Sequence, residues 1–211
     1  MTVDNRFLEP TFLNAEFCAR DLNEAILKIK ESGIVGVTLP SFWVKKAVRE
    51  LGDSDVIVST AVGYPHGFHQ SIVKLTEAKE AISQGAMGIH LVWSETAYLS
   101  GMNWPKIEVA QLSKLCHEEG CFLSVMVSSK WVSKNENMLE VARMSQDAGA
   151  DYFTLGLDFS EEIEAAQIQL LRETLSSQVG IRVFSKYNEP KKLQALLKAG
   201  ADKIHVSGSL A

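Results

Sequence analysis

The chain has 211 residues, 46% of them apolar, and a formal net charge of −5. A chain of this size can bury one large core without disulfides, and its mild acidity excludes a phosphate-backbone binder, which gathers Lys and Arg into a stripe that is missing here. No apolar run of about 18 residues and no apolar N-terminal leader is present, so a cytoplasmic protein with no membrane or nucleic-acid partner is expected.

Short β-branched runs alternate along the chain with segments of helical apolar spacing. The expected strands are Thr11–Leu13, Val35–Leu39, Val56–Val62, Gly88–Trp93, Phe122–Val127, Tyr152–Gly156, Gly180–Phe184 and Lys203–Val206. Helices are expected between them, near Leu22–Ser32, Phe42–Leu51, Ser71–Gln84, Lys106–Glu119, Asn137–Ala148, Glu161–Leu175 and Glu189–Lys198. Gly85-Ala86, Gly149-Ala150 and Gly200-Ala201 each follow a helix and precede a strand. Glycine there supplies the left-handed residue that closes a helix. Strands alternating with helices imply a parallel sheet, and eight of them in about 200 residues imply a closed (β/α)8 TIM barrel. No linker or charge block divides the chain, so residues 1–211 form one domain. Ala211 follows closely on the eighth strand, which leaves that strand's outer face to a partner subunit or to the N-terminal segment.

Cys18, Cys116 and Cys121 are too few and too scattered for a disulfide framework. Cys116 and Cys121 flank His117, but no second Cys or His cluster completes a metal site. They read as small buried residues on a helix and a strand edge.

The most informative stretch is Gly63-Tyr-Pro-His-Gly67 with Lys74, Glu77-Ala78, Ala81-Ile82, Gly85-Ala86, Ile89, Val92 and Ser100-Gly101 at ungapped spacing. It resembles the middle of a deoxyribose-phosphate aldolase. Val37-Thr-Leu-Pro40, Asp147-Ala-Gly-Ala-Asp-Tyr-Phe153, Val179-Gly-Ile-Arg182 and Ile204-His-Val-Ser-Gly-Ser209 extend the resemblance over nearly the whole chain. What the resemblance implies is a class I aldolase on a TIM barrel, using no cofactor. Its machinery would be an Asp on the fourth strand and Lys residues on the sixth and seventh. Those positions hold His90, Thr154 and Arg182 in this sequence.

A Schiff base needs an amine that sheds its proton near neutral pH. Threonine has no amine, and arginine keeps its charge at any usable pH. His90 can still move protons, but that alone does not cleave a carbon–carbon bond. The expectation is a diverged, pseudoenzyme-like member that binds a small anionic or phosphorylated metabolite around Arg182, His90 and Lys186. The alternative is a lyase in carbohydrate metabolism, working by acid–base chemistry at His90 with Arg182 or through a relocated Lys186 or Lys130.

Arg182 is expected to point into the barrel, where a guanidinium requires an anionic neighbour. Glu9, Glu95 and a ligand anion are the candidates. The resemblance implies phosphate binding by glycine- and serine-rich turns after the last strands. Only Ser207-Gly208-Ser209 keeps that character, with Lys186 as a point charge nearby.

His66 and His69 frame a helix start, and His66 reads as structural. His205 is expected to face outward, one residue after an inward Ile204. A zinc site joining His90 to one of these histidines lacks paired ligand spacing, so no metal is expected. Trp93, Trp104 and Trp131 near strand ends either fill the vacated pocket or line one for a more apolar ligand. A homo-oligomer is compatible with all of this.

Overall fold

Eight short strands carry apolar residues on one face and polar residues on the other, and this division builds the molecule from the inside out. The computed structural model describes residues 3–128, 135–160 and 162–208. The strands β1 (Leu8–Thr11), β2 (Gly36–Leu39), β3 (Ile57–Val62), β4 (Gly88–Val92), β5 (Phe122–Val127), β6 (Tyr152–Leu155), β7 (Gly180–Phe184) and β8 (Lys203–Ser207) run in chain order. All are parallel, and β8 returns to β1 to close the barrel. The helices are α1 (Ala19–Ser32), α2 (Val44–Leu51), α3 (Ser71–Ser83), α4 (Glu95–Leu99), α5 (Trp104–Glu118), α6 (Asn135–Asp147), α7 (Ala165–Thr174) and α8 (Pro190–Lys198). The expected (β/α)8 architecture is present. Gly85, Gly149 and Gly200 take positive φ values of 99°, 91° and 113°, so the left-handed closures are real. Cys116 and Cys121 are free and buried, as read.

Outward-facing strand residues such as Ile89, Leu123, Phe153, Ile181 and Ile204 are completely buried against the helical shell. Each fully buried side chain of this size contributes about 1.5–3 kcal/mol. Leu22, Ile26 and Ile29 on one stripe of α1 show the complementary helical spacing.

The inward face is polar and tightly fitted. A Cβ at Gly88 would lie 2.3 Å from Phe122 Cζ, one at Gly180 2.4 Å from the Tyr152 ring, and one at Gly36 3.3 Å from Glu9 Oε2. These glycines leave the room that the large side chains of neighbouring strands occupy, the interdigitation expected of barrel layers.

Two sequence expectations change. The first strand lies three residues earlier than its apolar run suggested, because Leu8-Glu-Pro-Thr hides it behind a charge and a proline. Pro10 has no N–H to give, and the β1–β2 seam is correspondingly thin, with the single register pair Thr11↔Thr38. Next, His205 faces inward. It pairs with Phe184 of β7 and Glu9 of β1, and Ile204 is the residue that faces the shell. The outer face of β8, for which a partner subunit or the N-terminal segment was expected, is covered within the chain itself, with Ile204 0% and Val206 4% exposed.

Candidate functional site

The barrel interior holds a closed polar network centred on Glu9. The Glu9 carboxylate accepts from Arg182 Nη1 through Oε2 and from Thr38 Oγ1 at 2.6 Å through Oε1. His90 Nε2 lies 3.5 Å and His205 Nδ1 4.0 Å from the same Oε1. Arg182 extends across the barrel with its guanidinium carbon 4.4 Å from the Phe122 ring centroid and 4.1 Å from that of Tyr152. Two aromatic faces and one carboxylate thus offset the cost of burying it. Of the two glutamates weighed for Arg182, the structure selects Glu9. Glu95 instead accepts from the Ser128 backbone N–H at 3.0 Å.

The charges follow from this geometry. Burial by itself would raise the Glu9 carboxyl, but the Arg182 guanidinium overcomes it, with the two imidazoles assisting, and Glu9 sits well below the usual carboxylate range. Burial lowers His90 and depresses His205 to about 3, outweighing the opposite pull of Glu9. At neutral pH the interior therefore contains one anion, one cation and two neutral imidazoles. Thr154 is fully buried, and its hydroxyl shares a 2.6 Å hydrogen bond with Ser124.

Glu9, His90 and His205 form the one cluster among the described residues whose ligand atoms, all within 4.8 Å of one another, could hold a metal ion. One detail opposes it: Arg182 already neutralises Glu9. Thr11 Oγ1 lies 3.1 Å from the Glu9 carbonyl and 2.8 Å from His205 Nδ1, and a hydroxyl can meet that nitrogen in either tautomer of the ring.

A hydrophobic layer seals this network from the C-terminal end of the barrel, where active sites of this architecture are built. Ala61, Met126 and Phe184 form it, with Leu13, Tyr64, Leu157 and Phe159 packed against it. Phe184 stacks on His205 at 4.5 Å and 17° and meets Phe159 at 5.1 Å. Above the seal lies an open cavity of about 440 Å³ lined by Phe12, Phe17, Tyr64, Phe159 and Phe184, among others. Asp21 and Asp158 are its charged lining residues. Of the interior network, Thr11 alone reaches it.

The predicted site residues therefore separate into groups. His90, Thr154 and Arg182 do come together, at 0%, 0% and 3% exposure, beneath the Phe184 layer. Ser207 and Gly208 line the mouth cavity. A Cβ on Gly208 would fall 1.8 Å from the Phe12 ring, so an aromatic edge occupies the space beside this turn. Ser209, Lys130 and Trp131 lie outside the described residues.

Lys186 does not join His90 and Arg182 as expected. It lies beside a cavity of about 130 Å³ at the flank, with Tyr187, Lys192 and Glu162. There Lys192 is paired with Glu162 at 3.2 Å. Of the expected tryptophans, Trp93 and Trp104 do not enter the barrel interior either. Trp93 is buried in the outer shell near Tyr98, and the Trp104 indole meets Met102 Sδ. Phenylalanines take that place. Sequence reasoning missed Phe12, Phe17 and Phe159 because nothing in their local pattern separates a cavity wall from ordinary core. The one available signal was Leu157-Asp-Phe159 standing where a small, polar turn was expected.

Comparison with known proteins agrees with the architecture. No family model matches the chain. It is 27% identical over 208 residues to the deoxyribose-phosphate aldolase of Streptococcus suis (strain 98HAH33), covering 98% of this chain and 94% of that one. Among solved structures, an aldolase designated QR15 superposes with a TM-score of 0.90 at 21% identity, covering 99% of this chain and 93% of its own. The deoxyribose phosphate aldolase of Aeropyrum pernix, described as tetrameric, gives 0.84 at 18% identity, covering 97% and 86%. The resemblance to deoxyribose-phosphate aldolases thus runs the full length of the chain.

Proposed function

We propose that this chain is a deoxyribose-phosphate-aldolase-like barrel that has lost Schiff-base chemistry and binds a small molecule at its mouth. The observation that carries the reading is the seal. The positions that would do carbonyl chemistry hold Thr154 and Arg182, and both lie under Phe184 without access to the mouth. No described lysine lines the cavity above them, so a carbonyl compound resting there meets no amine. Acid–base chemistry at His90 meets the same barrier, since His90 is fully buried and its Nε2 is directed at Thr38 and Glu9.

An anionic or phosphorylated ligand finds little support. Arg182 is already neutralised by Glu9, and the charged residues of the mouth are carboxylates. The flank cavity beside Lys186 also holds Glu162 and Glu164, and its Lys192 is paired with Glu162, so Lys186 is the one described cation there left to receive a small anion. Self-association is supported by apolar side chains exposed on neighbouring elements, including Phe68 at 71%, Ile72 at 65%, Leu99 at 64% and Ile107 at 57%.

Borohydride trapping tests the reading. The protein is incubated with acetaldehyde or deoxyribose 5-phosphate, reduced, and weighed intact. No lysine adduct is expected. An adduct at one residue, whether Lys186 or Lys130, would restore the aldolase and name its nucleophile.

A further inference from the structure

The mouth cavity combines an aromatic lining with negative charge, and this combination selects a ligand class opposite to the phosphorylated one. Five of its walls are rings: Phe12, Phe17, Tyr64, Phe159 and Phe184. Phe12 and Phe17 stand 4.7 Å apart, centroid to centroid, and Phe159 and Phe184 5.1 Å apart, so two ring pairs contribute to its walls. No described lining residue is a lysine, arginine or histidine.

Both carboxylates are held in place. Asp21 accepts from the Cys18 backbone N–H at 3.0 Å, which lowers its carboxyl and keeps it ionised, and the exposed Arg20 guanidinium stands 3.6 Å from its other oxygen, a solvent-screened pair with which a bound cation competes. Asp158 accepts from the Ser160 N–H at 2.8 Å. Burial, with the neighbouring Asp158 charge adding to it, pushes the Tyr64 phenol up, so the ring remains neutral.

A ring's face is electron-rich and attracts a cation that has left much of its hydration behind. A phosphate in the same place would lose its hydration to apolar walls and face two like charges. We propose that the cavity is a site for a small organic cation, an alkylated or quaternary ammonium group with an apolar body, held by the ring faces and by Asp21 and Asp158. This rests on the mouth, and not the sealed interior, being the ligand site.

The test uses an isosteric pair. Choline and its uncharged carbon analogue 3,3-dimethylbutan-1-ol are titrated into the full chain, with binding followed through the ring resonances of Tyr64 and Phe159. Choline is expected to bind about 2- to 30-fold more tightly than the alcohol, the range that cation–ring attraction supports. Phe159→Leu keeps the apolar surface and removes one ring, and Asp158→Asn removes one charge. Each is expected to weaken choline severalfold while leaving the alcohol unchanged. Inorganic phosphate is expected not to compete.

Equal affinity for the two probes would overturn the cation assignment while leaving a small-molecule cavity. Displacement of choline by phosphate, or no binding of either probe, would overturn the site. A lysine adduct in the trapping experiment refutes the parent reading separately, whatever choline does.

Discussion

The two ends of one barrel axis make opposite use of similar residue types. In the interior, rings serve as floor and ceiling for polar groups that never meet solvent. Phe122 and Tyr152 flank the Arg182 guanidinium, and Phe184 covers His205. At the mouth the rings line an open cavity, and the one described cation paired with its carboxylates, Arg20 at 3.6 Å from Asp21, is itself exposed. The interior is neutral in sum because Glu9 meets Arg182, while the described lining of the mouth carries only Asp21 and Asp158. The difference teaches that one barrel can keep a charge-matched polar layer buried and present an aromatic, acidic cavity one layer higher, on the loops that follow the strands.

The largest expected effect comes from unpairing the interior. Arg182→Met leaves Glu9 buried and charged with no partner, a change that typically costs about 3–5 kcal/mol. Adding Glu9→Gln should return much of that loss, because the double variant buries no net charge. Urea unfolding of the two variants measures it. If the single variant is as stable as the native chain, the Glu9–Arg182 pair does not organise the interior.

Acid gives the next largest effect. His205 is depressed to about 3 in the folded chain, below the ordinary value near 6.5. Between those limits the unfolded chain holds the proton and the folded chain does not, so stability falls as pH drops below about 6.5. The slope for one such group is about 1.4 kcal/mol per pH unit. Glu9, also held low, stabilises above its unfolded value near 4.5 and loses that contribution as the pH falls, so it acts in the same direction. His205→Phe should flatten the upper part of the profile. A native chain equally stable at pH 7 and pH 5 would contradict the buried neutral imidazole.

A smaller effect is expected where the two regions join. A Cβ at Gly208 would lie 1.8 Å from the Phe12 ring, and overpacking of this kind costs about 1–3 kcal/mol. Gly208→Ala should lower the melting temperature and weaken mouth binding together. If stability falls and binding does not, Phe12 is scaffold and not part of the cavity wall.

The barrel was legible in the sequence because it rests on repetition. Strand runs, helical spacing and glycine closures at three sites all agree. Arg182 was legible by cost alone, since a guanidinium at an inward position requires an anion nearby, and Glu9 was one of the two acids named. His205 was misread because a two-residue period fixes parity only once one inward residue is known. Ile204 was taken as that residue on its apolarity, whereas this barrel faces its polar residues inward. The mouth was invisible for a different reason. Its rings come from three separate loops and one strand end, and nothing local tells a phenylalanine lining a cavity from one buried in a core.

The smallest expected effect is none, and it tests the interior most finely. Glu9, His90 and His205 offer a ligand set that zinc commonly accepts. A metal present at a hundred times its dissociation constant would stabilise the fold by about 2.7 kcal/mol. The ion pair predicts otherwise, because Arg182 has already claimed the carboxylate. Zinc or a chelator should therefore leave the melting temperature unchanged. In Arg182→Met, however, Glu9 is left as a bare anion beside two buried imidazoles. Zinc should stabilise that variant and not the native chain, which would identify the guanidinium as what keeps the interior closed to metal.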